Sequence, residues 1–361
     1  MRRIPVMKAL AAAASAFSLV ALASCSAAPG TATTAGAESG EVNIIAYAGV
    51  WQEQYEAAVL TPFKAKYPKI KINYVSKRSS AEMLSTLQGQ KAAPATDVSI
   101  MDISVSESGN TQGLFEKVDA AKLTNLANVD KQFLNKDGYG PAVMVDAIGL
   151  IYDSTVVTPA PTSWNVLWDK QYAGKVNVVA PPSLLGISLT AITATMQGED
   201  YTKSIDKATV RLKELAPSIA SFAPNPDEYQ SIITGQTALG LGQNGRGQFY
   251  SDQSQGKMKV AFPSEGTVYQ TNTVNLVKGA PNAAAAQTFI NYALSGEAQS
   301  AFAAKLFYAP TVTNATLSAE VKKRVVPTDG SLKIIPLDVA FLAANRDKWT
   351  DVWKREIIAA K

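Results

Sequence analysis

Histidine is missing from all 361 residues, and cysteine occurs once, at Cys25. Without imidazole there is no Ser-His-Asp triad, no Cys-His pair and no His-ligated zinc or haem. A lone cysteine closes no disulfide within the chain and builds neither a thiolate zinc site nor an iron–sulfur cluster. Charge is also sparse, at 18%, against 47% hydrophobic residues, the balance of a globular chain. The chemistry left to an enzyme is acid–base work by Asp, Glu, Lys or Tyr, and no carboxylate pair is singled out by spacing. The length exceeds one ordinary core, so two domains are expected.

Long apolar runs are scarce as well. The one at residues 9–22 is too short to cross a hydrocarbon core of about 30 Å. Arg2, Arg3 and Lys8 precede it without an acid, and Ala23 and Ser24 come after it, which is the order of a secretory signal. Leu22-Ala23-Ser24-Cys25 resembles the lipobox of bacterial lipoproteins. That resemblance implies a signal peptide over 1–24, removed ahead of a lipidated Cys25, and a protein exported and anchored to the cell membrane. Residues 25–40 are small, polar and aperiodic, a tether with a coil span of about 20 Å. Loss of residues 1–24 removes three basic residues and no acid, leaving 31 basic against 30 acidic. The basic residues are scattered among acids, so no nucleic-acid partner is implied.

The body alternates strands with helices. Residues 42–47, 70–75, 98–101, 176–180, 238–241 and 274–277 read as strands, and 51–66, 81–88, 187–196 and 283–294 as helices. Such alternation predicts an α/β fold, a mainly parallel sheet flanked by helices, in two units that share a cleft. Gly240-Leu241-Gly242-Gln243-Asn244-Gly245 formally matches G-x-G-x-x-G, but the next residues, Arg246-Gly247-Gln248, make a poor start for a long helix. A glycine-permitted loop is the expectation there, not a nucleotide site. Tyr269 and Tyr308 stand alone, without the tyrosine pair of a ferric site, and neither metal nor cofactor is implied.

Residues 121–126 (AKLTNL), 161–168 (PTSWNVLW), 172–175 (YAGK), 262–266 (FPSEG), 289–294 (FINYAL), 308–310 (YAP) and 344–350 (ANRDKWT) carry a further likeness. On these the body resembles the extracellular solute-binding proteins of ABC importers, in the spermidine/putrescine-binding branch. The resemblance implies a two-lobed periplasmic-binding-protein-like fold of type II with the ligand between lobes. It places lobe 1 in 41–141 plus 268–306 and lobe 2 in 142–267 plus 307–361. It implies a monomer that delivers a small molecule to a membrane permease and is not an enzyme. Where the branch has an aromatic and then an Asp, this chain has Gln270 and Asn272, and residues 180–186 (APPSLLG) replace an acidic cluster.

The expected ligand-binding residues are therefore mixed in sign. Arg246, and Arg78 beside Lys77, suit a carboxylate or phosphonate. Asp102 and Asp146 suit an ammonium, Asn272 replaces the acid, and Tyr47, Trp51, Tyr269 and Tyr308 supply aromatic walls. Each has a plainer role: ion pair or solvated face for the arginines, helix cap for Asp102, hinge for Asp146, core for Trp51. The favoured ligand is zwitterionic and amino-acid-like, such as 4-aminobutyrate, an opine or an aminophosphonate. The alternative is a polyamine held by Asp102 and Asp146. A secreted carboxylate hydrolase and a purely structural surface lipoprotein are the readings from other classes.

Overall fold

Residues 38–361 are described by a computed structural model, so Cys25, the 1–24 signal and most of the 25–40 tether lie outside the described residues. Among the described residues nine strands form: β1 (Gly40–Tyr47), β2 (Ile70–Lys77), β3 (Val98–Asp102), β4 (Ala142–Asp153), β5 (Val176–Asn177), β6 (Ile219–Ser221), β7 (Leu239–Gln243), β8 (Met258–Ala261) and β9 (Tyr269–Leu276). Their order is β2-β1-β3-β9-β4-β7-β5-β6, with β8 also on β4. Both ends are parallel, where β1 pairs β2 and β3, and β5 pairs β6 and β7. The middle is antiparallel, because β9 and β4 run against their neighbours.

β4 serves two sheets. Residues 142–147 pair with β9, and 148–153 pair with β7 and β8. The cores divide at the same place. Val143 and Met144 pack with Ile44, Phe63, Phe289 and Phe302, whereas Ile148 and Leu150 pack with Trp164, Leu189, Leu239 and Trp353. The chain does not leave the first core at 307, as the lobe boundary expects. Tyr308 and Val312 are buried in it, and the Thr316 amide donates to Ser300 Oγ at 2.9 Å. Ile335 is the next residue buried in the second core, and its amide donates to Thr267 O at 2.7 Å.

Two local readings need correction. The glycine-rich stretch at 240–245 is β7 followed at once by the helix Asn244–Gln253. Glycine is required there for close packing. A Cβ on Gly240 would lie 2.3 Å from Asn177 Oδ1, on Gly242 2.7 Å from the Tyr229 ring, and on Gly245 2.5 Å from Leu306 O. Protein, not phosphate, approaches the backbone.

Trp51 is the second correction. It opens the helical run Val50–Tyr55, Glu56–Leu60 and Thr61–Lys66, whose middle turn is π-helical. Trp51 is fully buried, stacked on Tyr55 at 4.6 Å and met edge-on by Tyr47 at 5.4 Å and Phe302 at 5.5 Å. It is a core side chain and forms no wall of the ligand cleft. Trp51→Ala should therefore lower unfolding free energy by about 3–5 kcal/mol in urea titration. A loss within about 1 kcal/mol would show that the aromatic cluster contributes little.

Candidate functional site

Each helix that comes after a strand of a parallel pair starts at that strand's carboxyl end. Four such starts surround one cleft of about 270 Å³. They belong to the helices Ser80–Gly89 after β2, Ile103–Thr111 after β3, Leu184–Met196 after β5 and Asn244–Gln253 after β7. Ser79, Asp102, Ser183 and Gln243, the residues just before these helices, all line the cleft. Helix N-termini carry partial positive charge and unpaired N–H groups, so their convergence favours an anion.

Three arginines add to that field. Arg246 lies in the first turn of its helix, partly open to the cleft, and its Nε is buried with no hydrogen-bond partner. Burial works against its charge, but Tyr308, Tyr229, Glu228 and Tyr47 around it raise its pKa and keep it a cation. Arg78 stands at the rim, its side chain 89% exposed and 3.4 Å from Glu82. Arg346, on the helix Val339–Val352, has no counterpart among the sequence-predicted residues. It donates through Nη1 to Pro182 O at 2.7 Å and through Nη2 to Ser104 Oγ, while its Nε is buried without a partner.

Asp102 is the one acid lining the cleft. Its Oδ1 accepts from the Ser104 amide at 2.9 Å and from Ser104 Oγ, so it also caps its helix. Burial raises its pKa, and nearby Arg346 opposes that rise. Tyr47 shares the wall. Its hydroxyl is 2.7 Å from Ser80 Oγ and donates to Asn272 Oδ1 at 3.0 Å, which places Asn272 behind Tyr47 with its Nδ2 unpaired. Gln270 and Asn272 lie on the side of β9 toward the cleft, as strand alternation requires, and Gln270 reaches the cleft. Tyr269 falls on the opposite side, donates to Pro327 O at 2.7 Å and borders a separate cavity.

Two more expected contacts lie elsewhere. Tyr308 is buried against Phe302 behind Arg246. Asp146 is fully buried on β4, with Oδ2 accepting from the Gly245 amide at 2.8 Å and Oδ1 unpaired. It anchors the start of the Arg246 helix and does not reach the cleft. The polar side chains missed by sequence are Ser79, Ser80, Ser183, Gln243, Gln270 and Arg346. Gln243 is positioned by Tyr229, whose hydroxyl donates to Gln243 Oε1 at 2.6 Å.

Two lobes, a shared crossing strand and a cleft at the carboxyl ends of the strands define a solute-binding protein of the two-lobed periplasmic type. The chain belongs to the bacterial extracellular solute-binding proteins, whose family model matches residues 58–326. It is 27% identical over 252 residues to the spermidine/putrescine-binding periplasmic protein of Escherichia coli strain K12, covering 68% of this chain and 71% of the relative. It is 24% identical over 288 residues to the gamma-aminobutyric acid-binding protein of Pseudomonas aeruginosa, covering 77% and 79%. The periplasmic binding protein AfuA of Actinobacillus pleuropneumoniae shares the fold, with a TM-score of 0.73 at 23% identity over 88% of this chain and 98% of that one. The chain is thus a solute-binding protein by family, and the relatives described above are themselves named as binding proteins.

Asp146 also sets a pH dependence. Burial raises its pKa to about 7, against hydrogen bonds from Gly245 and Ala147 that lower it. A carboxyl raised on folding binds its proton more tightly in the native state. Its contribution is then full below the unfolded pKa of about 3.9 and is lost as pH rises toward 7. Asp146→Asn keeps an acceptor for the Gly245 amide. Relative to the unsubstituted protein it should remove a downward slope of about 1.4 kcal/mol per pH unit between roughly pH 4 and 7. Parallel stability–pH curves from denaturant melts would refute this.

Proposed function

We propose that the cleft captures a small zwitterionic, amino-acid-like solute, such as 4-aminobutyrate, an opine or an aminophosphonate, for delivery to a membrane permease. Its carboxylate or phosphonate lies against Arg246 and Arg346 at the helix N-termini, and its ammonium lies against Asp102. The observation that carries this reading is the lining, three arginines and four helix N-termini against one carboxylate. The name of the Pseudomonas aeruginosa relative agrees with it. Polyamine binding, which the name of the Escherichia coli relative suggests, needs a second acid, and Asp146 is occupied at Gly245. In this reading the protein works as a monomer. Lipid on Cys25 keeps it at the membrane, and Cys25→Ala should move it from the membrane fraction to the medium or periplasm.

The ligand class is tested by thermal shift on protein unfolded and refolded to strip carried solute. A ligand at about a thousand times its Kd stabilises by about 4 kcal/mol, so Tm should rise by several degrees with 4-aminobutyrate or aminomethylphosphonate. Arg246→Ala should abolish that rise. A rise with putrescine or spermidine alone overturns the zwitterion reading in favour of the polyamine.

A further inference from the structure

Beside the charged cleft lies a second cavity of about 260 Å³, and the two share Asp102 and Leu184 as lining. The second cavity differs in chemistry. Besides Leu184, its walls include Tyr269, Ile334, Leu337, Val339 and Leu342, from β9, from the segment before the helix Val339–Val352 and from that helix's first turn. The Tyr269 hydroxyl is held by Pro327 O, and Leu342 is buried. Arg346 stands close to the boundary. Ser104, which its Nη2 contacts, lines the apolar cavity, and Pro182, whose carbonyl its Nη1 contacts, lines the cleft.

Resting on the proposed anionic head in the charged cleft, we propose that the solute carries an apolar tail that enters this second cavity between Asp102 and Leu184. The ligand class is an anionic head, carboxylate or phosphonate, joined to an aliphatic or aromatic tail of roughly four to six carbons. Three observations support this occupant. The cavities adjoin, with two side chains lining both. The cleft alone falls short of the roughly 300–1,000 Å³ typical of ligand sites, and the pair reaches it. Apart from Asp102, which in this reading meets the ammonium at the boundary, the second cavity presents no charge, so an uncharged group suits it. When the tail enters, the Arg346 guanidinium leaves Ser104 and turns toward the bound anion, which gives its head a partner.

The test is an alkylphosphonate series, methyl through hexyl, titrated calorimetrically against the full chain and against Val339→Trp and Ile334→Trp, two part-buried positions chosen to fill the cavity. Buried methylenes should raise affinity about threefold each from ethyl to pentyl, and both tryptophans should flatten that gain. Binding of methylphosphonate with no chain-length gain would overturn the tail site and leave the anionic-head reading standing. A gain that persists in both tryptophan variants would place the tail elsewhere and overturn the proposal. No binding by any phosphonate or by the matching alkyl carboxylates would overturn the tail site, and 4-aminobutyrate titrated alongside separates that result from failure of the zwitterion reading, which falls only if it too is silent.

Discussion

Twelve consecutive buried residues in β4 impose the condition that the rest of the fold satisfies. Every amide and carbonyl of a buried strand needs a partner, and no single neighbouring strand provides them all. The first half of β4 bonds to β9 and the second to β7 and β8, so this strand takes part in both lobes, and the chain crosses between them again after β8 and between Val312 and Ile335. Asp146 sits on that strand one residue before the changeover. By accepting from the Gly245 amide it ties the crossing to the helix that carries Arg246.

Topology biases the cleft toward positive potential before any side chain is counted. In strand–helix units of parallel sheets the helix begins at the strand's carboxyl end, and the two lobes turn these ends toward each other. Four helix N-termini, each equivalent to about half a positive charge, meet in the gap. The arginines strengthen a field already present. Asp102 belongs to the same logic, because a carboxylate one residue before a helix caps the amide of Ser104 and partly offsets that helix's own dipole.

Sequence makes legible the features that periodicity encodes. The strands at 42–47, 70–75 and 98–101 and the helix at 51–66 lie within or overlap β1, β2, β3 and the helical run from Val50 to Lys66. Arg246 is visible because it interrupts a glycine-rich, uncharged stretch. Arg346 is hidden on the opposite ground: it is one of three consecutive charged residues, Arg346-Asp347-Lys348, which read as a solvated helix face. Side-chain parity is the other obscure quantity. On β9 a shift of one residue exchanges Tyr269 for Gln270 at the cleft, and nothing local in the sequence fixes that choice. Trp51 and Tyr308 have the composition of a binding wall, yet their neighbours Tyr55 and Phe302 draw them into the core. Asp146 breaks an otherwise apolar run and conceals the length of β4.

On the zwitterion reading, sharing a family with the polyamine-binding relative does not carry its ligand across, and charge pairing is the reason. A dication in the closed cleft would meet Arg246 and Arg346 at close quarters, with only Asp102 opposite and that carboxylate already bonded by Ser104. Buried charge without a partner costs several kcal/mol, more than cation–π contact with Tyr47 returns. The β/α frame tolerates either sign, because its strands and helices are set by apolar packing away from the charged cleft. Residues 246, 270, 272 and 346 decide the sign, and they can change while the cores built on Phe63 and Trp353 stay as they are.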